Sequence, residues 1–290
     1  MDNKLRSSRK ILIIALVCVI AVIIVGWGII SLASRLLDYS QRTMISQEEM
    51  ELTEDYSEEL PVDTMPENRY TAEGFYEIKD IRYYYYSGYE GIPGVDVSSY
   101  QTDIDWEKVK ESGIDFAMVR VGYRGWSSGE LDLDDCFKEH IEGALAAGLD
   151  VGVYFFSQAL TVDEAIEEAH YTIEQIKDYD ISCPVVFDWE EVEAVNARTN
   201  EMNMRILTSC AEAFCRTVED AGYEGGIYFN QAYGYEQLNL YSLKDYTLWL
   251  AEYADYPTFL YDFQMWQYTN EGKVPGIEGN VDLNILFRRK

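Results

Sequence analysis

GVDVSSYQTDIDWEKVKESGIDFAMVRVGY, residues 94–123, decides how the rest of the chain is read. GVDVS is a short apolar strand, the apolar residues over 105–112 recur three and four apart as on a helix face, and FAMVRVGY is a strand again. Strand, helix and strand in that order make the two strands parallel, joined by a right-handed crossover. The pattern continues through DVGVYFFS (150–157), PVVFDWE (184–190), GGIYFN (225–230), TLWLAEY (247–253) and FQMWQY (263–268). Helical spacing returns over 134–147, 161–179 and 200–221. Thr161 with Glu164 has the form of a capping box, and Gly148 and Gly222 stand where helix C-caps belong. About eight strands and five or so helices predict an irregular β/α barrel, the irregularity lying at the end, where strands follow one another with little helix between them. No G-x-G-x-x-G follows the first strand, which removes the usual dinucleotide reading.

The 290 residues divide before that barrel begins. Residues 1–10 carry four basic side chains and one acidic one, and residues 11–33, ILIIALVCVIAVIIVGWGIISLA, carry no charge. As a helix this run would be about 34 Å long, enough for roughly 30 Å of bilayer hydrocarbon. It is longer than a secretory apolar region and lacks a small-x-small cleavage site before Arg35, so an uncleaved anchor is expected rather than a signal peptide. The basic flank predicts a cytoplasmic tail (1–10), a single transmembrane helix (11–33) and everything later outside the cell membrane. Residues 34–90, acidic and without sustained apolar period, are expected to be an extracellular tether, leaving 91–290 as the barrel domain. The run Tyr83–Tyr86 stands apart, as an edge strand or as a pad against the domain.

With 52 Asp and Glu against 23 Lys and Arg, the net charge is −29. Residues 91–290 alone carry 37 acidic and 14 basic side chains, which excludes nucleic acid as a partner because phosphate would be repelled. Cys18, Cys136, Cys183, Cys210 and Cys215 form no C-x-x-C or Cys/His cluster, so no metal site is expected, and buried free thiols are the expected state.

In a chain this acidic, about nine acid-x-acid pairs arise by chance, so Asp188 and Glu190 mean little by spacing alone. Their place in the fold gives them weight. Asp96 lies in the first strand, Asp188 and Glu190 end the fourth, and Asp282 lies in the last apolar segment, GNVDLN. A carboxylate in an apolar strand is costly unless paired or used, and barrels carry their sites at the C-terminal ends of strands. Period two turns Asp188 and Glu190 to one side, with Cα atoms about 6.6 Å apart, and Trp189 to the other. Two carboxyls in one pocket should differ in pKa, so that one holds a proton while the other is ionised, as glycoside hydrolysis requires.

The same segments, with GLDVGVYFFS, VVFDWE, GIYFN, LWLAEY, MWQYT and GIEGNVDLN in order, resemble glycoside hydrolase family 25, the lysozymes or N-acetylmuramidases, over about residues 92–286. The resemblance implies an irregular β/α barrel that cleaves the β-1,4 bond between N-acetylmuramic acid and N-acetylglucosamine in peptidoglycan, with no cofactor. It implies Glu190 as general acid/base, Asp188 as its partner, Asp96 and Asp282 completing the acidic pocket, and Tyr154, Tyr228 and Trp266 as aromatics for sugar faces. One departure is Phe155, where many relatives have His; it bears on the shape of the sugar subsite and not on the acid pair. Strand spacing leaves two routes open: attack by the substrate's own 2-acetamido group with Asp188 orienting it, or direct attack by Asp188.

Competing readings are weaker. GWSSG (125–129) matches G-x-S-x-G but is followed by ELDLDD rather than a helix, and His140 and His170 lie in helical stretches. Trp106, Trp126 and Trp249 are expected in the core, and Glu191 and Glu193 in a solvated loop. A non-catalytic wall-binding scaffold would not need Glu190, and the D-x-x-D-x-D-x-E run of barrel chitinases is absent.

Overall fold

The computed structural model of the protein describes residues 65–200 and 202–290. The expected tail, membrane span and Cys18, and the part of the expected tether before residue 65, lie outside the described residues. Among the described residues no helix is long and apolar enough to cross a membrane.

The described chain begins with a hairpin, β1 (Phe75–Ile78) and β2 (Ile81–Tyr86), that runs into β3 (Tyr89–Val97). β4 (Phe116–Arg124), β6 (Asp150–Ser157), β7 (Val185–Trp189), β8 (Gly225–Asn230), β9 (Thr247–Ala251) and β10 (Met265–Gly272) follow β3 in parallel, and β11 (Val281–Arg289) returns antiparallel between β10 and β3. The β3–β4 pairing closes the eight-stranded barrel, while β5 (Leu131–Leu133) hangs on β4 as a hairpin across the GWSSG turn.

Six helices pack on the described barrel: α1 (Trp106–Glu111), α2 (Phe137–Ala146), α3 (Val162–Ile176), α4 (Met204–Asp220), α5 (Gln231–Glu236) and α6 (Leu240–Leu243). Their starts are locally encoded. The side chains of Asp105, Thr161, Asn203 and Asn230 each accept a backbone N–H of the following first turn, typically worth about 1 kcal/mol. Glu164 reaches back to the Leu160 N–H at 2.7 Å, one residue earlier than an ideal capping box. Gly148 and Gly222 take φ of +74° and +93° just after α2 and α4, where a side chain would be strained.

No helix covers the step from β9 to β10, and aromatic packing takes its place. Tyr70 stacks on Phe287 with ring centroids 3.7 Å apart, and Phe75, Tyr84 and Phe263 close around the same rings. Asn68 donates to the Phe259 carbonyl at 2.9 Å, and Arg69 Nε donates to Asp262 at 2.9 Å, tying residues 65–70 to the β9–β10 connection. The domain therefore begins well before residue 91. Residues 65–90, expected as tether, are held by buried aromatics that only the folded barrel can cover. Tyr83–Tyr86 belongs to β2, which pairs with β1 on one side and β3 on the other, so it is not an edge strand; Tyr84 is its buried pad residue.

Period two divides the core into an outer layer and a lumen. On β7, Val185, Phe187 and Trp189 face the helices, where Phe187 meets Phe214 of α4, while Val186 faces inward. Phe116, Met118, Trp249, Met265 and Leu286 fill the lumen floor with Val186. Burying each such side chain is worth roughly 1.5–3 kcal/mol, and the floor is the platform on which the polar residues above it stand. Cys183 and Cys215 are buried free thiols, Cys136 is a half-buried one, and Cys210 is buried in the core.

Candidate active site

Above the lumen floor a cleft of about 700 Å³ opens at the C-terminal ends of the parallel strands, lined by Asp96, Asp188, Glu190 and Asp282. All four expected acids thus converge. Asp188 is the next inward position after Val186, and Glu190 follows by the same alternation, directly past the end of β7. Asp282 is the register partner of Asp96 across the antiparallel β11–β3 pair, so both point inward from neighbouring strands.

Asp96 is held by amides. Its Oδ2 accepts from Asn284 Nδ2 at 2.7 Å and from Gln267 Nε2 at 2.9 Å, both side chains buried. Gln267 Oε1 in turn accepts from the hydroxyls of Tyr228 (2.9 Å) and Tyr253 (3.0 Å), and Asn284 Oδ1 accepts from Trp249 Nε1 at 2.9 Å. Every donor in this chain is oriented toward Asp96, so the carboxyl accepts on that oxygen.

Burial sets the electrostatics of all four acids. It pushes Asp96 up to about 6 against the pull of its Asn284 and Gln267 hydrogen bonds. Burial and the Asp96 charge push Asp282 up to about 8. Asp188 is only 4% exposed, and burial, then the Glu190 and Asp96 charges, holds its carboxyl well above the usual range, with Arg120 opposing. Its Oδ1 is buried without a hydrogen-bond partner. Glu190 is raised by the crowded cleft walls and by Asp96, but it is exposed to the cleft's solvent, which screens that displacement. The four are close enough to titrate as a set.

The pocket also holds a cation. Arg120 Nε donates to buried Asp134 at 2.8 Å and Nη2 to Ser99 at 3.0 Å, with the rings of Tyr100 and Tyr123 at 5.4 and 5.7 Å. Arg120 and Tyr123 lie an odd number apart yet both line the cleft, because the register between β4 and β6 shifts between Arg120 and Gly122. Among the described residues no group of three or more His, Cys, Asp or Glu converges to hold a metal ion.

The expected aromatics divide. Tyr154 and Tyr228 line the cleft, with burial raising both phenols well above 10. Trp266 does not: it is 0% exposed, edge-on to Phe75 beneath the N-terminal hairpin, and its Nε1 donates to the Glu252 carbonyl at 2.8 Å. Gln267 is the inward residue of β10, so its neighbour must face out. Trp249 and Trp126, expected in the core, both touch the cleft, Trp249 as buried floor and Trp126 as a 44% exposed rim. Phe155 packs against Tyr171 of α3, outside the barrel, so the departure at that position leaves the cleft wall to Tyr154 and Phe156. Sequence reading missed Gln267, Asn284, Arg120 and Tyr253; strand parity carried from Asp282 was the available signal for Asn284.

The profile of glycosyl hydrolases family 25 matches residues 95–277, more than half of the chain. The chain belongs to glycosyl hydrolase family 25. It is 27% identical over 192 residues to the autolytic lysozyme of Clostridium acetobutylicum, covering 66% of this chain and 54% of that protein. This family 25 chain therefore spans about half the length of that relative. It is 26% identical over 210 residues to lysozyme M1 of Streptomyces globisporus, covering 67% of each. Among solved structures, a family 25 glycosyl hydrolase from Bacillus anthracis superposes with a TM-score of 0.57 at 26% identity, over 70% of this chain and 92% of that one.

Proposed function

We propose that the protein is a peptidoglycan muramidase, cleaving the β-1,4 bond between N-acetylmuramic acid and N-acetylglucosamine, with Glu190 as general acid/base and Asp188 assisting. The observation that carries this reading is the pair of inward carboxyls at the end of β7, set against Asp96 and Asp282 in a cleft of about 700 Å³. The lysozyme relatives supply the substrate class.

Glu190 protonates the leaving oxygen and later takes a proton from water. Asp188 offers a buried oxygen without a partner, an acceptor suited to the N–H of a 2-acetamido group. A donor placed there favours ionised Asp188 and leaves the shared proton on Glu190, the distribution a substrate-assisted step needs. The exposed rim side chains Tyr100, Trp126 and Tyr253 offer faces on which sugar rings stack.

The uncharged run 11–33, with its basic flank, supports a single-pass anchor in the cell membrane that places this domain outside the cell. Proteolysis of intact cells tests it: an external protease should remove the domain, and protection until lysis would defeat the topology.

The experiment for the activity is digestion of purified peptidoglycan with identification of the new reducing end by mass spectrometry. Reducing muramic acid is the expected product. Reducing glucosamine would mean a different glycosidase, and no product would favour a glycan-binding protein.

A further inference from the structure

Glu190 lies just beyond the strand that presents it. The β6–β7 ladder ends with Ser157 opposite Trp189, and the β7–β8 ladder ends at Asp188 opposite Tyr228. Neither ladder therefore pairs Glu190 itself, although a proton donor must be placed to within a fraction of an ångström.

Two side chains from outside β7 hold it instead. Gln158, directly after Ser157 and fully buried, donates from Nε2 to the Glu190 carbonyl at 2.7 Å. The same Nε2 donates to the Ser157 carbonyl at 2.9 Å, and Oε1 accepts from buried Thr199 at 3.1 Å, so the amide is locked in one orientation. On the other side of the same peptide bond, the Glu191 N–H donates to the Tyr233 hydroxyl at 3.1 Å. Tyr233 is itself fixed: its N–H donates to Asn230 at the end of β8 at 2.9 Å, and its ring lies 5.8 Å from that of Trp189.

We propose that Gln158 and Tyr233 are positioning residues that grip the Glu190–Glu191 peptide from both edges and so aim the Glu190 carboxyl at the glycosidic oxygen. The peptide unit is planar, so holding its C=O and its N–H together fixes the plane, and with it the direction in which Glu190 leaves the backbone. In this chain the clamp takes over where the sheet stops. The proposal rests on the reading of Glu190 as proton donor.

Leaving-group dependence separates positioning of an acid from general support of the fold. Tyr233→Phe removes one oxygen, and Gln158→Met keeps length without the amide. Each is assayed for kcat/KM on peptidoglycan glycan fragments and on a dinitrophenyl glycoside of the same disaccharide, whose leaving group departs without a proton. Each variant should lose roughly 10- to 100-fold on the glycan and stay within about twofold of the parent on the aryl glycoside. Equal losses on both substrates, or no loss on the glycan, would overturn the clamp. Glu190→Gln run in parallel should show the same split, only larger. If Glu190→Gln shows no split, the assignment of the acid fails; if it does and the clamp variants do not, the clamp alone fails. Should Gln158→Met not fold, Tyr233→Phe carries the test.

Discussion

Gln267 fixes which oxygen of Asp96 accepts: its Nε2 donates to Asp96 Oδ2 at 2.9 Å because its Oε1 is already taken by the hydroxyls of Tyr228 and Tyr253. An amide has one acceptor end and one donor end, so two phenols on the first turn the second toward the carboxylate. Gln267→Leu would strand both phenols and leave Asp96 with Asn284 as its remaining amide donor. We expect a loss of about 1–3 kcal/mol in unfolding free energy by chemical denaturation. The Asp96 carboxyl should also titrate higher than in the parent, and an unchanged titration would show that the amide does not hold it.

Glu190→Gln should lower kcat on peptidoglycan by about 10²- to 10⁴-fold, the usual worth of general acid–base catalysis. Because Glu190 is exposed to the cleft and lies past the end of β7, the melting temperature should barely move. Near-normal turnover in this variant would remove Glu190 from the chemistry.

The raised carboxyls make stability depend on pH in a definite direction. A carboxyl whose pKa is higher folded than unfolded binds its proton more tightly in the folded state. Its contribution is complete below the unfolded value, near 3.8, and is lost as pH rises through about 6 for Asp96 and about 8 for Asp282. The melting temperature should fall as pH rises across that window. Asp282→Asn should flatten the upper part of the fall, and a profile identical to the parent's would show that Asp282 does not titrate there.

Trp266 and Trp126 should separate stability from binding. Trp266→Ala empties a fully buried site and should cost about 3–5 kcal/mol. Trp126→Ala, at the exposed rim, should change stability by less than about 0.5 kcal/mol while raising KM for glycan fragments. Equal KM for Trp126→Ala and the parent would remove that ring from sugar contact.

Asp96, Asp188 and Asp282 were legible in the sequence because each interrupts an apolar strand, where a carboxylate is too costly to bury without use, and Glu190 was legible from the alternation that runs on from Asp188. The barrel was legible from its strand and helix periods, as were the caps at Thr161, Gly148 and Gly222. Trp266 was misread because family likeness assigned it to the groove, whereas the alternation running through Gln267 turns it outward. Trp126 was misread in the opposite sense: expected in the core, it stands 44% exposed at the cleft rim, whereas Trp249 is buried as expected and its lumen face also floors the cleft.

Local chemistry in the chain determined which segments are strands and helices, where helices begin and end, and which strand positions share a face, because these depend on neighbours within a few residues. Tertiary structure decided what fills the gap between β9 and β10, so that residues 65–90 join the domain through Tyr70, Tyr84 and Phe287. It also decided which side chains serve the acids: Gln267 and Asn284 at Asp96, Asp134 behind Arg120, and Gln158 with Tyr233 at the Glu190–Glu191 peptide. Most of those partners lie dozens of residues or more apart in the chain. Assembly of the sheet and its loops brings them within hydrogen-bonding distance, and no local period records that.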